Sequence, residues 1–101
     1  MHEAAILLRA LINVLNNGEE RKRAITEVSQ TLRELAAGQG IPVDDKFRNE
    51  NGIALQMSKL EYVFTDGTSG LRAQTGWYFD IVRLYREERG KYDKLSRFGN
   101  S

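Results

Sequence analysis

Apolar residues recur at helical spacing in four successive segments of this 101-residue chain, and nowhere do they alternate as a half-buried strand requires. That periodicity restricts the fold to an all-α domain. In the first segment, Glu3 to Leu15, one face carries Ala4, Leu8, Leu11 and Leu15, while Ile6, Leu7, Ala10 and Val14 occupy much of the rest. A helix apolar almost all round is either buried on several sides or lies in an oligomer interface. Asn16-Asn17-Gly18 stops it. A second helix is expected from about Glu20 to Ala37, with Ile25, Val28, Leu32 and Leu35 in register. A third runs from about Glu50 to Phe64, its inward stripe set by Ile53, Met57, Leu60 and Phe64. The fourth, from Gly76 or Trp77 to about Tyr92, buries Trp77, Ile81 and Leu84 with help from Tyr78, Val82 and Tyr85. The expected architecture is a compact bundle of about four helices in one domain, residues 1–95, followed by a frayed tail, residues 96–101.

Between the second and third helices the chain changes character. Gly38-Gln39-Gly40 ends one helix, and Pro42 keeps the backbone from resuming helical geometry, so Ile41 to Phe47 reads as an extended connector. Pairing these helices as a helix-turn-helix is one arrangement the pattern suggests. The span from Ala37 to Glu50 is much longer than the three- or four-residue turn of that motif.

Composition bounds the chemistry. Hydrophobic residues make up 41% and charged residues 29%, a balance typical of globular domains. The formal charge is +1, so a nucleic-acid role must rest on a local patch and not on a global field. With no cysteine, disulfides and thiolate metal sites are excluded. The apolar run from Ala4 to Leu15 is too short to span a bilayer and lacks signal-peptide flanks, so the chain reads as cytoplasmic, with no membrane partner. Catalysis needs a nucleophile with its base, a carboxylate pair or a metal cluster. His2 is the only histidine and sits at a terminus; Asp44 and Asp45 are adjacent in a connector, where carboxylates ordinarily cap turns or face solvent. The expectation is a non-enzyme without metal or cofactor.

A binding role needs only a shaped face, and the entry to the third helix offers one. Arg48, Asn49, Glu50 and Asn51 crowd it, with Gln56 and Lys59 on its outer flank and Glu61 also placed outside. Asparagine and glutamine can pair bidentately with adenine, and arginine with guanine or phosphate, so Arg48, Asn49, Asn51, Gln56 and Lys59 form a candidate DNA-binding set. In the opposing reading Asn49 or Asn51 caps the helix and Arg48 pairs with Asp44 or Asp45. A secondary basic patch comprises Arg21, Lys22 and Arg23, which open the second helix against its macrodipole, together with Arg83 and Arg86 in the fourth. Tyr78, Tyr85 and Tyr92 repeat every seventh residue and read as core margin.

The runs R-K-R-A-I-T-E-V-S-x-x-L-R-E-L-A at 21–36, G-I-P-V-D-D-K-F-R-N-E-N-G-I at 40–53 and F-T-D-G at 64–67 give the chain a further handle. Across most of its length it resembles a small helical accessory domain of bacterial restriction and phage-defence proteins, found beside nuclease or helicase domains. The resemblance implies DNA recognition in a defence setting and singles out Phe47, Arg48, Asn49, Asn51 and Gly52. Duplex DNA is then the expected partner. The rival is a small phage-encoded inhibitor that binds a defence protein complex, for which Asp44, Asp45, Glu50 and Glu61 near the proposed reading helix would be suited. A structural or dimerisation module, pairing as a homodimer through the first helix, is the third possibility.

Overall fold

The computed structural model describes residues 2–44, 48–73 and 76–96. Among them lie five helices and no strand: α1 (His2–Asn17), α2 (Arg21–Gly38), α3 (Glu50–Phe64), α4 (Gly76–Glu87) and α5 (Arg89–Ser96). Helix α1 packs against all four others, which explains its apolar circumference. Ala5, Leu8 and Leu11 are wholly buried there, and Ile6 and Leu7 nearly so, whereas Leu15 at its end is exposed. Packing against four helices accounts for much of the apolar surround of α1. Each such leucine withdrawn from water contributes roughly 1.5–3 kcal/mol to folding.

The helix ends follow local chemistry. At the end of α2, Gly40 adopts φ +79°, its N–H donates to the Ala37 carbonyl (3.1 Å), and the Ile41 N–H donates to the Ala36 carbonyl (2.9 Å). Those paired bonds satisfy carbonyls that a helix terminus leaves open. The same arrangement closes α3, with Asp66 at φ 55°, its N–H on the Val63 carbonyl and the Gly67 N–H on that of Tyr62. At the start of α3 the Asn49 carboxamide oxygen accepts from the Gly52 N–H at 2.8 Å, capping the helix.

Two sequence expectations change. The fourth helix does not continue to Tyr92 but breaks at Glu88, in the charged run Arg86-Glu87-Glu88-Arg89 that ends at Gly90. A straight helix would hold Tyr85 and Tyr92 along one side; the break turns α5 onto α1, where Tyr92 is 1% exposed and its hydroxyl donates to the Ala5 carbonyl at 2.9 Å. Tyr85 meets it edge-on, with ring centroids 4.9 Å apart. Ser96, expected in a frayed tail, is buried at the end of α5 and accepts from the Arg9 guanidinium. Residues 97–101 lie outside the described ones. The eleven residues 39–49 separate α2 from α3, so these helices pack as bundle neighbours without a helix-turn-helix corner.

Candidate functional site

The entry to α3 joins three helices. Arg48 sits in left-handed backbone at φ 48°, an unusual conformation for a residue with a Cβ. Among the contacts that hold it there, its carbonyl accepts from the Ser29 hydroxyl of α2 (2.5 Å), and its guanidinium Nε donates to the Glu3 carboxylate of α1 (2.7 Å). Beside it Asn49 caps α3, and the Thr26 hydroxyl donates to Glu50 at 3.0 Å. The capping alternative therefore describes Asn49. Arg48 also pairs with Glu3, 45 positions away. Asp45 and Phe47 lie outside the described residues.

The five candidate residues do not form one face. Arg48 and Gln56 line the same groove, of about 490 Å³, together with Glu3, Leu7, Leu32 and Trp77. Asn49 lines a separate recess of about 530 Å³, between α2 and the connector, with Gln30, Val43 and Glu50. Asn51 is exposed, and Lys59 is half-buried two turns along α3. In the shared groove, Leu7 and Leu32 provide a buried apolar floor, Gln56 and Trp77 are half-buried, and Ile41 stands exposed at its edge. The Arg48–Glu3 pair occupies the rim, with 38% of the Arg48 side chain and 48% of the Glu3 side chain still accessible. His2 also lines the groove, its ring Nδ1 held 2.6 Å from the Leu95 carbonyl.

Two of the secondary basic residues, Arg21 and Arg86, reach the other end of α3. Arg21 reaches from α2 to Glu61 (2.5 Å), and Arg86 reaches from α4 to the Phe64 carbonyl (2.7 Å) and Asp66 (3.3 Å). Positive charge at the first turn of α2 opposes its macrodipole, and Glu61 supplies the compensating anion from within the chain. Lys22, Arg23 and Arg83 face outward, with Arg23 paired to Glu27 on its own helix.

Glu61 corrects an expectation. Placed outside by its position in the helical pattern, it is instead buried at 7% exposure, where Arg21 and the Ser69 hydroxyl (2.6 Å) both donate to it. Burial pushes its carboxyl pKa up, but hydrogen bonds from Ser69 and Arg21, with the charge of Arg21, outweigh this and hold it below the usual carboxylate range. Around it the segment 65–71 folds back on α3, the Leu71 N–H donating to the Ser58 carbonyl at 3.1 Å. Gly70 makes that approach possible, with φ +94° and no side chain to meet the Ser58 carbonyl.

Of the candidate residues, Arg48 and Gln56 share a groove whose other members the sequence did not indicate. Glu3 and Trp77 enter the groove from helices distant in sequence, and the one usable signal was that Trp77 is the sole tryptophan. Among the described residues no group of three or more His, Cys, Asp or Glu is placed to hold a metal ion, and no helix is long and apolar enough to cross a membrane. Every buried side-chain polar atom among them has a hydrogen-bond partner. No protein-family model, curated protein or solved structure matches the chain.

Proposed function

We propose that this chain is a non-catalytic recognition module that binds DNA, of the kind that accompanies restriction and phage-defence enzymes. One observation carries the reading: Arg48 and Gln56, eight positions apart, line a single groove that has an apolar floor and an indole in its wall. A guanidinium pairs with guanine or phosphate and a carboxamide with adenine, and both stay accessible enough to reach a ligand. In this reading Asn49 positions α3 as its cap and does not touch bases, while Asn51 and Lys59 add contacts along the same helix. Lys22, Arg23 and Arg83 supply backbone attraction from its flanks.

The test is an anisotropy titration with labelled duplex DNA at about 50 and 200 mM salt, a range over which each phosphate contact steepens the loss of affinity. With about three phosphates neutralised, the logarithm of the binding constant falls with the logarithm of salt at a slope of roughly −3. Arg48→Ala weakens binding. Absence of binding at the lower salt overturns the reading.

A second reading has its own observation. Leu55, Leu71 and Phe79 are 47%, 49% and 44% exposed, and Phe79 shares a recess of about 300 Å³ with Tyr62, Arg83 and Arg86. Aromatic and arginine side chains of this kind anchor protein interfaces. A small inhibitor of a defence complex would use such a face, and it would bind protein while leaving DNA alone.

A further inference from the structure

The groove between α1, α2, α3 and the start of α4 combines features that a simple phosphate site lacks. Its rim carries opposite charges, Arg48 and Glu3 in contact at 2.7 Å, so a phosphate seated on Arg48 alone meets a carboxylate at the same place. Its floor is apolar, through Leu7 and Leu32. Its wall holds Trp77, and Gln56 adds one carboxamide with a donor and an acceptor side by side. The complement of this set is a flat heterocycle with a π face and an edge of alternating donors and acceptors. A nucleobase has both. Stacking on an indole suits any base, whereas a carboxamide beside a carboxylate discriminates by edge and favours one that carries an exocyclic amine.

We infer that this groove is a pocket for a single unpaired nucleobase, rich in amine donors, taken from a DNA strand. The inference deepens the DNA-binding reading and rests on it. Bases inside a duplex hide both faces in the stack, so Trp77 can be reached only by a base that is extrahelical or in a single strand. The indole, itself packed on Tyr78, covers the base, Gln56 and Glu3 read its edge, and Arg48 stays paired with Glu3 at the rim. The groove volume of about 490 Å³ lies within the range of ordinary ligand pockets and leaves room for the sugar. Glu3 has a double part, since the carboxylate that steadies Arg48 also rejects a second negative group and keeps the pocket for a neutral base.

Trp77 is the sole tryptophan, so its emission reports on this groove alone. The intact chain is titrated with two labelled duplexes, one fully paired and one with a single unpaired adenine, while anisotropy and tryptophan fluorescence are read together. The expected result is quenching of Trp77 by the bulged duplex and binding about tenfold tighter than to the paired one, a preference within reach of one stacked base. Gln56→Ala should reduce that preference to about twofold while leaving the thermal midpoint and the salt slope unchanged. Equal binding of both duplexes without a change in Trp77 emission overturns the pocket but leaves the DNA reading standing. A Gln56→Ala protein that keeps the full preference overturns the pocket as well. No anisotropy change with either duplex overturns both.

Discussion

Arg48 and Glu3, on opposite sides of the α1–α3 contact, form an ion pair that also makes the rim of the candidate groove. The pair does two things at once: it steadies a residue in left-handed backbone, and it holds a guanidinium where a ligand can reach it. Partial exposure limits its direct worth to about 0.2–1 kcal/mol. Its value lies in geometry.

Backbone and side chain at Arg48 can be separated by substitution. Arg48→Ala loses the pair and keeps a Cβ at φ 48°, whereas Arg48→Gly loses the pair but relaxes the backbone. Since left-handed backbone costs a residue with a Cβ roughly 1 kcal/mol, the glycine variant should be the more stable of the two by about that amount. Denaturant midpoints of the two proteins check the order.

Glu61 makes stability depend on acid. Its carboxyl is held below the ordinary value near 4.5, so the folded state binds its proton less readily than the unfolded one. The stabilisation is fully present above that value and is lost as pH falls through it toward the lower folded pKa. Glu61→Gln should cost about 1–3 kcal/mol near neutrality, by weakening the bonds from Arg21 and Ser69, and should flatten the acid limb of the profile. Urea melts between pH 3 and 7 measure both effects.

Tyr92 does the same at the alkaline end. Burial pushes its hydroxyl pKa well above the usual value of 10, so the unfolded chain ionises first and stability falls as pH rises beyond 10. Tyr92→Phe removes the bond to the Ala5 carbonyl at a cost of about 1–2 kcal/mol and should remove this residue's share of the alkaline loss. Circular dichroism melts from pH 8 to 11 distinguish the two proteins.

Among the described glycines, Gly70 is the least tolerant of a side chain. A Cβ there would strike the Ser58 carbonyl and lie 2.8 Å from the Tyr62 nitrogen, in a backbone conformation at φ +94° that L residues rarely adopt. Gly70→Ala should cost at least about 2 kcal/mol. Gly18→Ala, also at positive φ but with open space around it, should cost less, about 1 kcal/mol. Thermal midpoints of the two variants rank them.

How far the fold was legible depended on how local the cause was. The bounds of α3 follow from Asn49 and the stripe Ile53, Met57, Leu60, because capping and periodicity act within a few residues. The break at Glu88 was half visible, since the run Arg86 to Lys91 carries no apolar residue and ends near Gly90, whereas the docking of Tyr92 on α1 has no local signal. Glu61 was hidden for a related reason: its partner Arg21 lies 40 positions away, and helical spacing alone placed the carboxylate in solvent. The groove was half visible, its Arg48 and Gln56 readable as ligand-binding types and its Glu3 and Trp77 supplied by tertiary packing.

The most direct measurement of the DNA reading is a nuclear magnetic resonance titration of the isotope-labelled chain with a short duplex bearing one unpaired adenine. Binding through the groove predicts the largest shifts at the Trp77 indole N–H, the Gln56 side-chain amide and the Arg48 Nε–H, with little change at Leu55, Leu71 and Phe79. Shifts concentrated at those three residues, or no shifts at all at low salt, would contradict it.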